Sequence, residues 1–217
     1  MNKIFLTVIE GAIAFAVTNV DDLIVLLLFF SQVNARLRPH HVVGGSYWGF
    51  TVIIALSLVG FFGGLLVSPV WIGLLGILPI ILGIKKLVHQ EDNAQVQEVT
   101  ADFSDQSNRH PFVALLIQLL HPQSYKIAVI TLANGSDNIG IYVPLFAAKD
   151  AMGLGIILIV FYLLLGVWCY AAYRFTRNPK IAYVLTRYGQ SIVPFVLIGL
   201  GLLILWEKGT FKLLIRS

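Results

Sequence analysis

The sequence is poor in charge and almost without cysteine. Only 12% of its 217 residues are Asp, Glu, Lys or Arg, about half the usage of a water-soluble domain, whose surface has to be solvated. A soluble globular domain is therefore excluded. So are an intrinsically disordered chain and a nucleic-acid-binding module, both of which need far more charge and less aliphatic surface. The single cysteine, Cys169, excludes an intrachain disulfide framework and a thiolate metal cluster. No Ser/His/Asp, HExxH or CxxC pattern stands among the apolar stretches, so an enzyme is not expected. A cleavable leader is not expected either: the first apolar run is too long for an h-region and carries carboxylates where a small-residue cleavage site would stand.

What is abundant is apolar. Hydrophobic residues make up 58% of the chain and the mean hydropathy is +0.84. A helix needs roughly 20 mostly apolar residues to cross a bilayer core, and six stretches meet that need: residues 4–30, 42–66, 69–88, 124–146, 152–175 and 191–206. The fold class that follows is an all-α polytopic membrane protein with six transmembrane helices, and its first partner is the lipid bilayer. Residues 111–120 are too short to span, and Pro122 interrupts their continuation, so a short interfacial helix is expected there. Between the halves, residues 89–110 are polar without periodicity and read as a solvated linker. Trp48, Trp71, Trp168 and Trp206 fall near proposed helix ends and read as interfacial anchors. His40, His41, His110 and His121 lack cysteine partners or an i, i+4 spacing and read as interfacial residues, not zinc ligands.

The net charge of +4 reads as topology. With six spans, Lys3, Lys149, Lys208, Lys212 and Arg216 share the side of the termini. Arg36, Arg38, Lys85, Lys86, Arg109, Arg174, Arg177, Lys180 and Arg187 lie opposite, so the count is five against nine. The positive-inside rule then places both termini outside a cell (inner) membrane.

Internal repetition organises the spans. A shift of 116 residues aligns Asp21-Asp22-Leu23-Ile24-Val25 with Asp137-Asn138-Ile139-Gly140-Ile141 and Phe29-Phe30 with Leu145-Phe146, and carries Gly83 onto Gly199; Pro79 meets Pro194 one residue short of that shift. Residues 1–88 and 111–217 thus read as two three-helix repeats. Because each has an odd number of spans, the second enters the membrane from the opposite side, which makes a 3+3 inverted repeat. Gly45 and Gly49, and Gly60 and Gly64, have the spacing of close helix contacts.

The chemical signal lies at matching places in the halves: Thr18-Asn19-Val20-Asp21-Asp22 and Asn134-Gly135-Ser136-Asp137-Asn138. An ionised Asp at a helix centre costs at least about 2.5–3.5 kcal/mol on the insertion scale, so these carboxylates must face protein or water. Thr18 with Asp21 and Asp22, and Asn134 with Asp137 and Asn138, stand at i, i+3 and i+4 and share a face of a continuous helix. Asn19 lies one turn before Asp22. Gly135 favours local unwinding of the fourth span, freeing carbonyls as further ligands. The candidate metal ligands are Asn19, Asp21, Asp22, Asn134, Asp137 and Asn138. Helix-to-helix hydrogen bonding would explain an isolated Asn, but not such an excess of negative charge. Glu10 reads equally as a relay group or as an interfacial carboxylate, Thr18 as a secondary polar group. Lys126 either snorkels to the interface or neutralises a carboxylate when no ion is bound.

The first motif with Phe29-Phe30-Ser31-Gln32, and above all the run from Thr131 to Phe146 (TLANGSDNIGIYVPLF), resemble the cadmium resistance transporter family of the lysine exporter superfamily. Arg187-Tyr188-Gly189 ahead of the last span fits too. The resemblance implies an exporter of divalent cations, with Asp21, Asp22, Asn134, Asp137 and Asn138 on the translocation path. No tightly bound cofactor is expected; the transported ion belongs to the Cd, Mn, Ca or Mg class, and oxygen ligands suit Mn, Ca or Mg better than soft Cd. Adjacent buried acids suit exchange against protons or another counter-ion. Two alternatives stay open: export of an amino acid or other small molecule, for whose carboxylate only Lys126 offers a charge inside a span, and a non-transporting membrane scaffold. Homo-oligomer formation is left open.

Overall fold

The computed structural model describes residues 2–35, 37–66, 68–88, 122–176, 179–208 and 210, and no strand occurs among the described residues. In chain order the elements are α1 (Asn2–Thr18), α2 (Val20–Ser31), α3 (Pro39–Leu66), α4 (Pro69–Leu74), α5 (Ile77–Val88), α6 (Pro122–Asn134), a 3₁₀ turn (Gly135–Asn138), α7 (Ile139–Ala147), α8 (Ala151–Phe175) and α9 (Pro179–Glu207). Proline opens α3, α4, α6 and α9, the position where its missing N–H leaves no bond unmade. The start of α8 is fixed differently: the Asp150 carboxylate accepts the Gly153 N–H at 2.8 Å, an N-cap.

Three helical segments are long and apolar enough to cross a membrane, Pro39–Leu66, Trp71–Val88 and Ala151–Phe175, and the bent pair Lys3–Thr18 and Val20–Ser31 makes a fourth if it is one span. The expected first and fourth spans are not continuous helices; each is broken at its acidic motif. The last helix starts at Pro179, earlier than expected, so Arg187-Tyr188-Gly189 lies inside it. The linker expected at 89–110 and the interfacial helix expected at 111–120 lie outside the described residues, as do His110 and His121.

Packing crosses between the halves. The helix α3 lies along α6 and α7, α8 lies along α1 and α2, and α5 lies against α9. The glycines of α3 make the first contact close, as their spacing predicts. A Cβ on Gly49 would stand 2.5 Å from the Ala128 carbonyl oxygen, and one on Gly60 would overlap the Val143 backbone. Where these layers meet, Phe15, Phe50, Tyr142, Phe146 and Phe161 are fully buried and pack ring on ring, Tyr142 and Phe161 with centroids 4.8 Å apart. This aromatic core directly adjoins the helix breaks.

Candidate functional site

Both acidic motifs sit where a helix is interrupted. Between α1 and α2 the axis bends by 58° at Asn19. Its carbonyl accepts the Leu23 N–H at 3.2 Å and the Trp168 indole N–H at 2.8 Å, so a side chain from α8 props the bend open. The Asn19 amide nitrogen reaches the Phe15 carbonyl at 2.8 Å and the Tyr142 hydroxyl at 2.9 Å. Thr18 donates to the Ala14 carbonyl at 2.9 Å and stands 2.7 Å from the same tyrosine. A proton from Tyr142 to Thr18 therefore closes the network, with Asn19 donating to the tyrosine oxygen. Tyr142 thus ties the first break to α7.

In the second half the interruption is the 3₁₀ turn carrying Ser136, Asp137 and Asn138. The loss of regular helix expected at Gly135 is found. The glycine also has a packing reason: a Cβ there would stand 2.5 Å from Ile53 Cδ1 of α3.

The two breaks face each other through charge. Asn134 donates from Nδ2 to Asp22 Oδ1 at 2.6 Å, linking the halves directly. The Lys86 ammonium, from the last turn of α5, donates to Asp21 Oδ2 at 3.0 Å and lies 3.5 Å from Asp137 Oδ2. Asp21 and Asp137 are 39% and 43% exposed and Lys86 26%, whereas Asp22 is buried and feels the repulsion of both other aspartates. Asn138 is buried, and its Nδ2 has no partner; neither has Oδ1 of Asn19. A buried amide left unpaired is costly, and Asn19 with Asp22, Ser46 and Thr131 lines a small cavity.

The structure thus brings Asp21 and Asp137 to either side of Lys86 and Asp22 to Asn134. Thr18 lies ahead of the break at Asn19, in contact with Tyr142. Among the described residues no three His, Cys, Asp or Glu are grouped to hold a metal ion.

Glu10 lies apart from this site. Its carboxylate is 2.7 Å from the Lys149 ammonium, which is 3.0 Å from Glu207; the Lys149 and Glu10 side chains are only 7% and 10% exposed. Burial works against the Lys149 charge, but the Glu10 and Glu207 carboxylates outweigh it and hold the ammonium above its usual value. This ion pair fastens α1 to the α7–α8 junction and the end of α9. Lys126 is exposed on α6, and the lysine beside the Asp21 and Asp137 carboxylates is Lys86.

Three residues of the site escape a sequence reading. Lys86 reads as a topology charge beside Lys85, and only the surplus of three buried-motif aspartates over bases hints at a compensating cation. Tyr142 reads as one more core aromatic. Trp168 reads as an interfacial anchor, a reading its hydrogen bond to Asn19 and its edge-on contact with Phe15 replace. Trp48, Trp71 and Trp206 are exposed.

Residues 15–216 match a family model described as Cadmium resistance transporter. No curated protein and no solved structure gave a match.

Proposed function

Because the chain belongs to the cadmium resistance transporter family, we propose that it exports divalent metal cations by alternating access, through the site between its two helix breaks, in exchange for protons. One observation carries the reading. Carboxylates and amides from the two breaks come together across the middle of the molecule, Asp22 on Asn134 and Asp21 opposite Asp137. Helix interruptions inside a membrane are tolerated where they line a cavity or bind an ion. Asn19, Asp21, Asp22, Asn134, Asp137 and Asn138 are the ligand candidates, and all offer oxygen, which suits weak, releasable binding of a hard divalent ion.

The packing supports a 3+3 inverted repeat of residues 1–88 and 111–217. Exchanging the halves maps the contact of α3 with α6 and α7 onto that of α8 with α1 and α2, and leaves α5 with α9. In that topology the part-exposed Asp21, Lys86 and Asp137 lie toward the face at which α2 and α8 end and α3 begins. The aromatic core and the Glu10–Lys149–Glu207 ion pair close the other face. The excess of Lys and Arg on the first face supports a cytoplasmic orientation for it, and with it the reading of a carrier open to the cell interior and closed outward.

Metal-driven proton flux in proteoliposomes tests the exchange. Flux is expected with the wild type and absent in the Asp21→Asn, Asp22→Asn double variant; flux that persists in the variant contradicts it. The Lys86 ammonium also offers what a substrate carboxylate would need, which favours amino-acid export as a second reading. Lys86 is already matched to two carboxylates, so metal is preferred; amino acids that displace bound metal would reverse the preference.

A further inference from the structure

Metal export by itself does not call for an ammonium inside the site. Lys86 Nζ takes one carboxylate oxygen from each helix break, at 3.0 Å from Asp21 and 3.5 Å from Asp137. That is the position from which a divalent ion would bridge the same two groups. Ammonium and metal cannot both occupy it, since like charges at contact repel and a lysine has no lone pair to offer when charged.

We infer that Lys86 is a tethered counter-cation of the carrier: it fills the Asp21–Asp137 gap when metal is absent, is displaced when metal binds, and returns to the gap after release. The inference rests on the transport reading above. Its physical basis is the cost of carrying bare carboxylates through a closed, low-dielectric state. Lys86 in the gap offsets one negative charge of the empty pair; a divalent ion in its stead offsets one more. The four-carbon stem lets the ammonium swing aside without backbone movement, and its 26% exposure leaves it unenclosed on one side. The same competition sets selectivity. A monovalent ion replaces one positive charge by one and gains little, whereas a divalent ion gains the second charge.

Full-length wild type, Lys86→Gln and Lys86→Arg are compared in proteoliposomes with radiolabelled Cd²⁺ in two modes. Net efflux into metal-free medium needs the empty carrier to return; exchange against unlabelled Cd²⁺ needs only the loaded one. Lys86→Gln is expected to keep exchange, to bind Cd²⁺ about tenfold more tightly because a competing charge within contact distance is gone, and to lose net efflux by about tenfold or more. Lys86→Arg, which keeps the charge, is expected to run both modes. Net efflux and affinity unchanged in Lys86→Gln would overturn the inference alone. So would loss of both modes in Lys86→Arg, or in Lys86→Gln while Lys86→Arg stays fully active with unaltered Cd²⁺ affinity in both. A wild type that moves no Cd²⁺ in either mode would overturn the transport reading itself.

Discussion

Single side chains carry the energetics of this molecule because so few of them are charged. Lys149 is the clearest case. Replacing it by Met leaves the buried Glu10 carboxylate uncompensated, and breaking a buried pair in this way costs roughly 3–5 kcal/mol; a large fall in the melting temperature in detergent is expected. Glu207→Gln removes the exposed partner and should cost no more than about 1 kcal/mol. Equal losses in the two variants would show that Glu10 does not depend on Lys149. Tyr142→Phe removes the hydroxyl shared by Thr18 and Asn19 and should cost about 1–3 kcal/mol, the penalty of a buried polar group left unpaired, with little change in packing. The aspartates of the candidate site were legible in the sequence, since charge within an apolar run has to face protein or water, and the asparagines only through their place in the same two motifs. Their partners were not. A lysine near a helix end and a tyrosine in an apolar run look the same whether they point into the site or away from it, and only the crossing of α5 and α7 over the breaks decides.

At the scale of elements, the shared feature of the halves is a helix broken at its acidic motif. Gly135 announced the second break, because glycine weakens a helix. Nothing comparable announced the first: Asn19 is an ordinary residue, and the bend is held by Trp168 and Tyr142 from the other half. Local propensity reports only local causes, so a break imposed by tertiary contacts stays hidden. The glycine stripe of α3 was legible, and it yields a sharp contrast. Gly60→Ala places a Cβ into the Val143 backbone, whereas Gly63 has open space around it. Gly60→Ala should destabilise by about 1–3 kcal/mol through overpacking and impair transport, because α3 can no longer lie against α7. Gly63→Ala should stabilise by about 0.4–1 kcal/mol through lost chain entropy. Thermal unfolding of the two purified variants checks the pair; the same sign for both would refute the close contact.

On the scale of the whole molecule, the crossed packing explains why the two motifs, over a hundred residues apart, come to face each other: each half supplies the helix that the other half's broken helix leans on. Composition identified the membrane class and repetition the expected architecture, while the placement of Lys86 and Lys149 in ion pairs came only from tertiary structure. Removing one residue from each side of the Lys and Arg count leaves its bias unchanged, so the orientation is testable. In a Cys169→Ser background, Ala35→Cys should react with a membrane-impermeant thiol reagent only after the cells are opened, and Lys3→Cys should react in intact cells; the reverse pattern would invert the topology. The central claim, that Asp21, Asp22 and Asp137 carry a divalent cation across the membrane, is tested most directly by metal uptake into inverted membrane vesicles, comparing wild type with Asp137→Asn for Mn, Ca, Mg, Zn and Cd. Uptake of at least one of these ions by the wild type, abolished in Asp137→Asn, is the predicted result; equal signals from both proteins for every ion would contradict it.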